Sequence, residues 1–239
     1  MSNNINFYDL IKVKKKYHNP NFKKHQIEIP FRMLIIGGSG KGKTNSALNI
    51  IHEMSNTFEK IVICCKSACE PLYDYLREKI PDEENLEFYE NGEIPQIEQY
   101  SDVGQMLIIF DDLVMKKDQS EIAEYFIRGR KVGGGISCMY LTHSYFLTPK
   151  IIRLQCQYFI LKKNDDKRDL RMILSELGLG VKITELESMY NKALKKETDY
   201  FMIDNKTFDD KYKFRKNITP ISEINDKPKK KTSKKKQKN

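Results

Sequence analysis

The stretch FRMLIIGGSGKGKTNSALNII, residues 31–51, is an apolar run that breaks into glycines, a serine and two lysines and then resumes at helical spacing. Residues 32–37, RMLIIG, have the continuous apolarity of a strand buried on both faces of a parallel sheet. Residues 44–54 read as an amphipathic helix. Between them Gly37-Gly38-Ser39-Gly40-Lys41-Gly42-Lys43-Thr44 fills every fixed position of the phosphate-binding pattern GxxxxGK[ST]. Glycines let backbone N–H groups close on phosphate oxygens, and the helix start points its free N–H groups and positive dipole end at the same anion. Lys43 is expected to reach the β- and γ-phosphates and the Thr44 hydroxyl to ligate Mg²⁺. Lys41, at a variable loop position, and Asn45, in the first helical turn, complete the expected nucleotide-contacting set. The strand–loop–helix context points to a nucleoside triphosphate site rather than a flexible glycine turn.

Working outward, further compact apolar runs occur at 60–65 (KIVICC), 105–110 (QMLIIF), 136–141 (ISCMYL) and 157–162 (QYFILK), with a sixth candidate at 199–204 (DYFMID). Helical spacing appears from Pro71 through LYDYLREKI, in SEIAEYFIRGR, in KRDLRMILSEL and in ITELESMYNKAL. Alternating strands and helices predict a doubly wound α/β domain, a mostly parallel central sheet flanked by helices. We expect an N-terminal arm over 1–29, the domain over 30–205, an extension over 206–226 and a lysine-rich, disordered tail over 227–239.

The run QMLIIFDDL, 105–113, supplies the carboxylates. Asp111 stands where a phosphate-loop enzyme holds Mg²⁺ from a neighbouring strand, usually through water. Asp112 follows where many ATPases carry a glutamate that activates the attacking water; the alternative is an aspartate that caps the turn. No DxxG follows this strand and no NKxD spacing is present, which favours ATP over GTP.

The stretch FIRGRKVGGGISCMYLTHSYFLTPKIIR, 126–153, is the most specific. Two arginines flank a glycine, a glycine run leads into a strand, and the strand ends at Thr142-His143-Ser144. In phosphate-loop ATPases with an additional central strand, a polar residue at that strand's end senses the γ-phosphate. His143 suits that post, or is a hydrogen-bonded histidine with no sensing role.

With HNP at 18–20, PFRMLIIGGSGKGKT at 30–44, EPLYDYL at 70–76, LIIFDDL at 107–113, RGRKVGGGISCMYLTHSYF at 128–146 and YFMID at 200–204, the chain resembles the FtsK–HerA superfamily. More narrowly it is similar to the genome-packaging ATPases of large DNA viruses and virophages. The resemblance implies an additional-strand (RecA/FtsK-like) P-loop fold and ATP-driven translocation of double-stranded DNA, gripped without regard to sequence, into a preformed capsid. It implies capsid-protein partners and a homohexameric or homopentameric ring. Arg128 or Arg130 would match the arginine finger given to a neighbouring subunit's ATP. His143 stands where the superfamily has glutamine. Lys116 and Lys117 are candidates for gripping the DNA backbone. A helicase or segregation pump on the same core, and a nucleotide-gated capsid scaffold with little turnover, are the competing readings.

The bulk numbers bound these readings. Of the net charge of +9, eight lysines lie in the last thirteen residues, and without them the balance falls to +1. The basic tail is read as a nucleic-acid contact, a nuclear import signal or a solubilising end. The five cysteines lack CxxC zinc spacing and are read as reduced thiols, mostly core. No apolar run nears the roughly 18 residues that span a bilayer, and the N-terminus lacks a signal core. We therefore expect no membrane partner and an intracellular place in host cytoplasm or viral factory, with virion association and nuclear entry as further options.

Overall fold

Five of the six apolar runs fold as parallel strands at the centre of one sheet. They are β1 (Arg32–Ile36), β2 (Lys60–Cys64), β4 (Met106–Asp111), β5 (Ile136–Thr142) and β6 (Tyr158–Leu161). The structure, a computed structural model, describes residues 5, 7, 17–82, 84–164 and 167–223. The lysine tail at 227–239, and Tyr8, Leu10 and Ile11 of the arm, lie outside the described residues. The sixth run forms β7 (Phe201–Asp204), antiparallel to β6. Three further strands were not read from the sequence: β3 (Leu86–Tyr89), β8 (Phe214–Lys216) and β9 (Thr219–Pro220). Among the described residues the sheet order is β3-β2-β4-β5-β1-β6-β7-β8-β9. The 206–226 segment, expected as an extension, thus lends β8 and β9 to the same sheet. It is clamped there by Arg215, fully buried, which pairs with Asp204 and donates to the carbonyls of His25 and Gln26.

Strand alternation sends β1 side chains to two cores. Met33 and Ile35 join Ala47, Ile50, Tyr73 and Leu76 under α2 (Lys43–Glu53) and α3 (Pro71–Lys79). Leu34 and Ile36 join Ile122, Phe126, Leu170, Ile173 and Leu186 under α4 (Ser120–Arg128), α6 (Arg168–Leu177) and α7 (Ile183–Ala193), while the one-turn helices α1 (Phe22–His25) and α5 (Lys150–Arg153) precede β1 and β6. Each side chain so buried stabilises the fold by roughly 1.5–3 kcal/mol, which is why these strands read as unbroken apolar runs. Four cysteines are buried, Cys69 is exposed, and all five are free.

Two features position the site. First, β5 lies between β1 and β4, pairing parallel with both, as the additional strand requires. Second, the glycine run before β5 lets two backbones meet: a Cβ on Gly134 would lie 2.4 Å from the Gly104 carbonyl carbon. That contact fixes the start of β5 against the start of β4.

Candidate functional site

The chain leaves β1 at Ile36 and enters α2 at Lys43. Gly42 caps the helix at φ 77°, a left-handed conformation that glycine adopts without Cβ strain. No side chain caps the helix start, so its free N–H groups remain for an anion. Ser39, Gly40, Gly42, Lys43, Thr44 and Asn45 line a cavity of about 330 Å³ closed by Glu70, Leu72, Asp111, Asp112 and His143. Gly37, Gly38 and Lys41 do not reach its wall. The Gly37 N–H donates to Thr142 O at 3.0 Å, Gly38 O accepts from Lys43 Nζ at 3.4 Å, and Lys41 is exposed. Clefts of about 570 and 640 Å³ lie elsewhere, around Phe88 and around Ile51. They are larger but carry no phosphate-binding backbone.

Three carboxylates face Lys43. Asp111, at the end of β4, accepts a hydrogen bond from the Tyr73 hydroxyl. Burial pushes its pKa up, while the Tyr73 bond and the Lys43 charge pull the other way. Burial likewise pushes Lys43 down, against the pull of Asp111, Asp112 and Glu70. Glu70 is raised by burial and then by Asp111, with Thr44 and Lys43 pulling the other way, and it lines the same cavity as Thr44. Crowded carboxylates of this kind favour a bound cation. Among the described residues no group of three or more His, Cys, Asp or Glu makes a metal cage.

Asp112 and His143 come together across neighbouring strands. His143 Nε2 lies 2.7 Å from Asp112 Oδ1, with Asp112 in the left-handed region at φ 55°. The segment after His143 is anchored to α6: Ser144 Oγ donates to Asp169 at 2.8 Å and the Phe146 N–H to the same oxygen at 3.2 Å. Tyr145 donates to Glu176, which also pairs with Arg153.

The arginines lie at the other end of β5. Seven residues of strand separate their turn from His143, about 20 Å at the usual strand rise. Arg128 is held by Glu98 at 3.0 Å and by Glu124. Arg130 is exposed and makes no hydrogen bond or ion pair among the described residues. Of the two lysines after β4, Lys116 is engaged by Glu121 at 2.6 Å and Gly92 O at 3.3 Å, whereas Lys117 is exposed.

Glu70 and Tyr73 are the residues the motifs did not single out. A signal was present: EPLYDYL follows a buried strand, and open α/β sheets build sites at strand carboxyl ends.

The fold has solved relatives. The genome packaging NTPase B204 from Sulfolobus turreted icosahedral virus 2, in complex with AMPPCP, superimposes with TM-score 0.57 at 13% identity, covering 80% of this chain and 98% of that one. Its complex with ATP-gammaS gives 0.53 at 14% identity, covering 80% and 97%. No curated protein matches the chain in sequence. No helix of the described residues is long and apolar enough to cross a membrane. The family model for the poxvirus A32 protein matches residues 19–231. The chain shares its additional-strand P-loop fold with B204, and with the family match over most of its length it belongs to the poxvirus A32 protein family.

Proposed function

We propose that the chain is an ATPase that drives double-stranded DNA into a preformed viral capsid as a homo-oligomeric ring. The observation that carries this reading is the convergence of the P-loop, Asp111, Asp112 and His143 on one cavity. The packaging role described for B204, a structural neighbour, supports it.

In this reading the N–H groups of 39–45 and Lys43 bind the phosphate chain. The residues fit a cation: Thr44 and Asp111 would hold Mg²⁺, with phosphate oxygens and water supplying the remaining positions. When bound, the cation draws charge from the β- and γ-oxygens. Asp112 and His143 then orient the attacking water as a pair. Arg130 completes a neighbour's site, because the length of β5 keeps it from its own. Lys117 is the loop lysine free to meet DNA phosphates, a contact indifferent to base sequence. Capsid proteins would be partners, in host cytoplasm or viral factory, with virion association or nuclear entry through the basic tail.

The Asp112–His143 pairing also supports a second reading, a nucleotide-gated capsid scaffold in which both groups stay engaged and turnover is slow. Steady-state ATP hydrolysis with Mg²⁺, with and without long double-stranded DNA, separates the two. DNA-stimulated turnover that vanishes in Lys43→Ala supports the motor; tight ATP binding with negligible turnover under all conditions supports the scaffold.

A further inference from the structure

The start of α3 carries two polar groups aimed at the site. Glu70 is the residue before the helix, extended at φ −131°, and its side chain makes no capping bond. Its carbonyl alone serves the helix, accepting from Tyr73 N at 2.8 Å and Asp74 N at 3.1 Å. Pro71 occupies the first turn, where a missing N–H costs nothing. The carboxylate is therefore not spent on the helix, and Glu70 lines the cavity together with Thr44. Three residues on, nearly one turn, Tyr73 is 2% exposed, its ring edge-on to Phe88 at 5.5 Å. Its hydroxyl donates to Asp111 Oδ2.

We propose that Glu70 and Tyr73 are positioning residues that hold Thr44 and Asp111 in a cation-binding arrangement. The inference rests on the nucleotide reading above. A hydroxyl that ligates a cation through a lone pair must send its hydrogen elsewhere, and Glu70 is the acceptor on hand. A carboxylate that ligates through one oxygen is fixed by a donor on the other, and Tyr73 supplies it. One rigid helix start thus sets the orientation of two groups from different elements, Thr44 of α2 and Asp111 of β4.

Mn²⁺ is the probe, read as free ion by paramagnetic resonance, with a non-hydrolysable ATP analogue present. Tyr73→Phe keeps the ring packing and Glu70→Gln keeps the shape. Each variant should weaken Mn²⁺ binding to the protein–analogue complex by roughly 10- to 100-fold, with analogue affinity in EDTA changed less than about twofold. Turnover of both should recover at saturating Mg²⁺. Wild-type Mn²⁺ affinity in both variants overturns the proposal, as does an equal loss of analogue affinity in EDTA. A Glu70→Gln protein that stays inactive at saturating metal marks a group in the chemical step and overturns the positioning role. If the wild type binds no analogue, the nucleotide reading itself falls; if it binds normally and the variants match it, only this inference does.

Discussion

His143 Nε2 stands 2.7 Å from Asp112 Oδ1, so the residue after β5 and the residue after β4 form one unit at the mouth of the P-loop cavity. Asp112 is one methylene shorter than a glutamate, and the imidazole lies against its carboxylate. If the two orient water together, removing either removes the unit. Asp112→Asn and His143→Ala should each lower kcat by about 10²-fold or more. The double variant should fall little below the worse single. Additive losses in the kinetic cycle would separate the two roles.

Arg128 and Arg130 are two residues apart, yet only Arg128 is tied down, by Glu98 and Glu124. Arg130→Ala should lower turnover by about 10³-fold, the scale of a lost arginine finger. Arg128→Ala should change stability little, as the loss of a solvent-screened surface ion pair does, and leave turnover near wild type. Mixing Arg130→Ala with Lys43→Ala subunits should restore activity at mixed interfaces. Absence of rescue would remove the finger from the neighbour's site.

Gly134 is a folding constraint. A Cβ there would lie 2.4 Å from the Gly104 carbonyl carbon and 2.7 Å from the Gln105 nitrogen, both backbone atoms. Gly134→Ala should destabilise the protein by about 1–3 kcal/mol or more, read as a fall in the denaturation midpoint. An unchanged midpoint would mean that the 101–105 turn yields freely.

The difference between these residues explains what was legible beforehand. The P-loop, the Asp111 strand and the inserted strand could be read because a buried parallel strand must be apolar throughout and a phosphate loop must be glycine-rich. Strand β3 was missed because it is an edge strand, LEFY, with only Leu86 buried and Glu87 paired to Lys60. Strands β8 and β9 are too short for a periodic signal. The place of Glu70 in the cavity wall and the bond of Tyr73 to Asp111 depend on where α3 packs, which no local pattern encodes. The engagement of Arg128 over Arg130 is half legible: Glu124 stands four residues before Arg128 on the same helix, whereas Glu98 comes from thirty residues away.

His25 gives the fold a pH dependence. It is fully buried, its Nδ1 accepts from the Ile27 N–H at 2.9 Å, and its Nε2 has no hydrogen-bond partner among the described residues. Burial lowers its pKa from 6.5 to about 4, against the pull of Glu53 and with the help of Arg215 and Lys24. The unfolded chain therefore takes up a proton between these values that the folded chain refuses. The stability that depends on neutral His25 is whole above about pH 6.5 and is lost as pH falls towards 4, by at most about 3 kcal/mol. His25→Asn, which keeps an acceptor near the Nδ1 position, should shrink the fall in Tm between pH 7.5 and 5. An equal fall in both proteins would assign the acid sensitivity to other groups.

Movement along DNA is the central claim, and displacement of a triplex-forming strand from a long duplex measures it most directly. The account predicts ATP-dependent displacement, independent of duplex sequence and absent from Lys43→Ala. Intact triplex in the presence of brisk, DNA-stimulated ATP hydrolysis would contradict it.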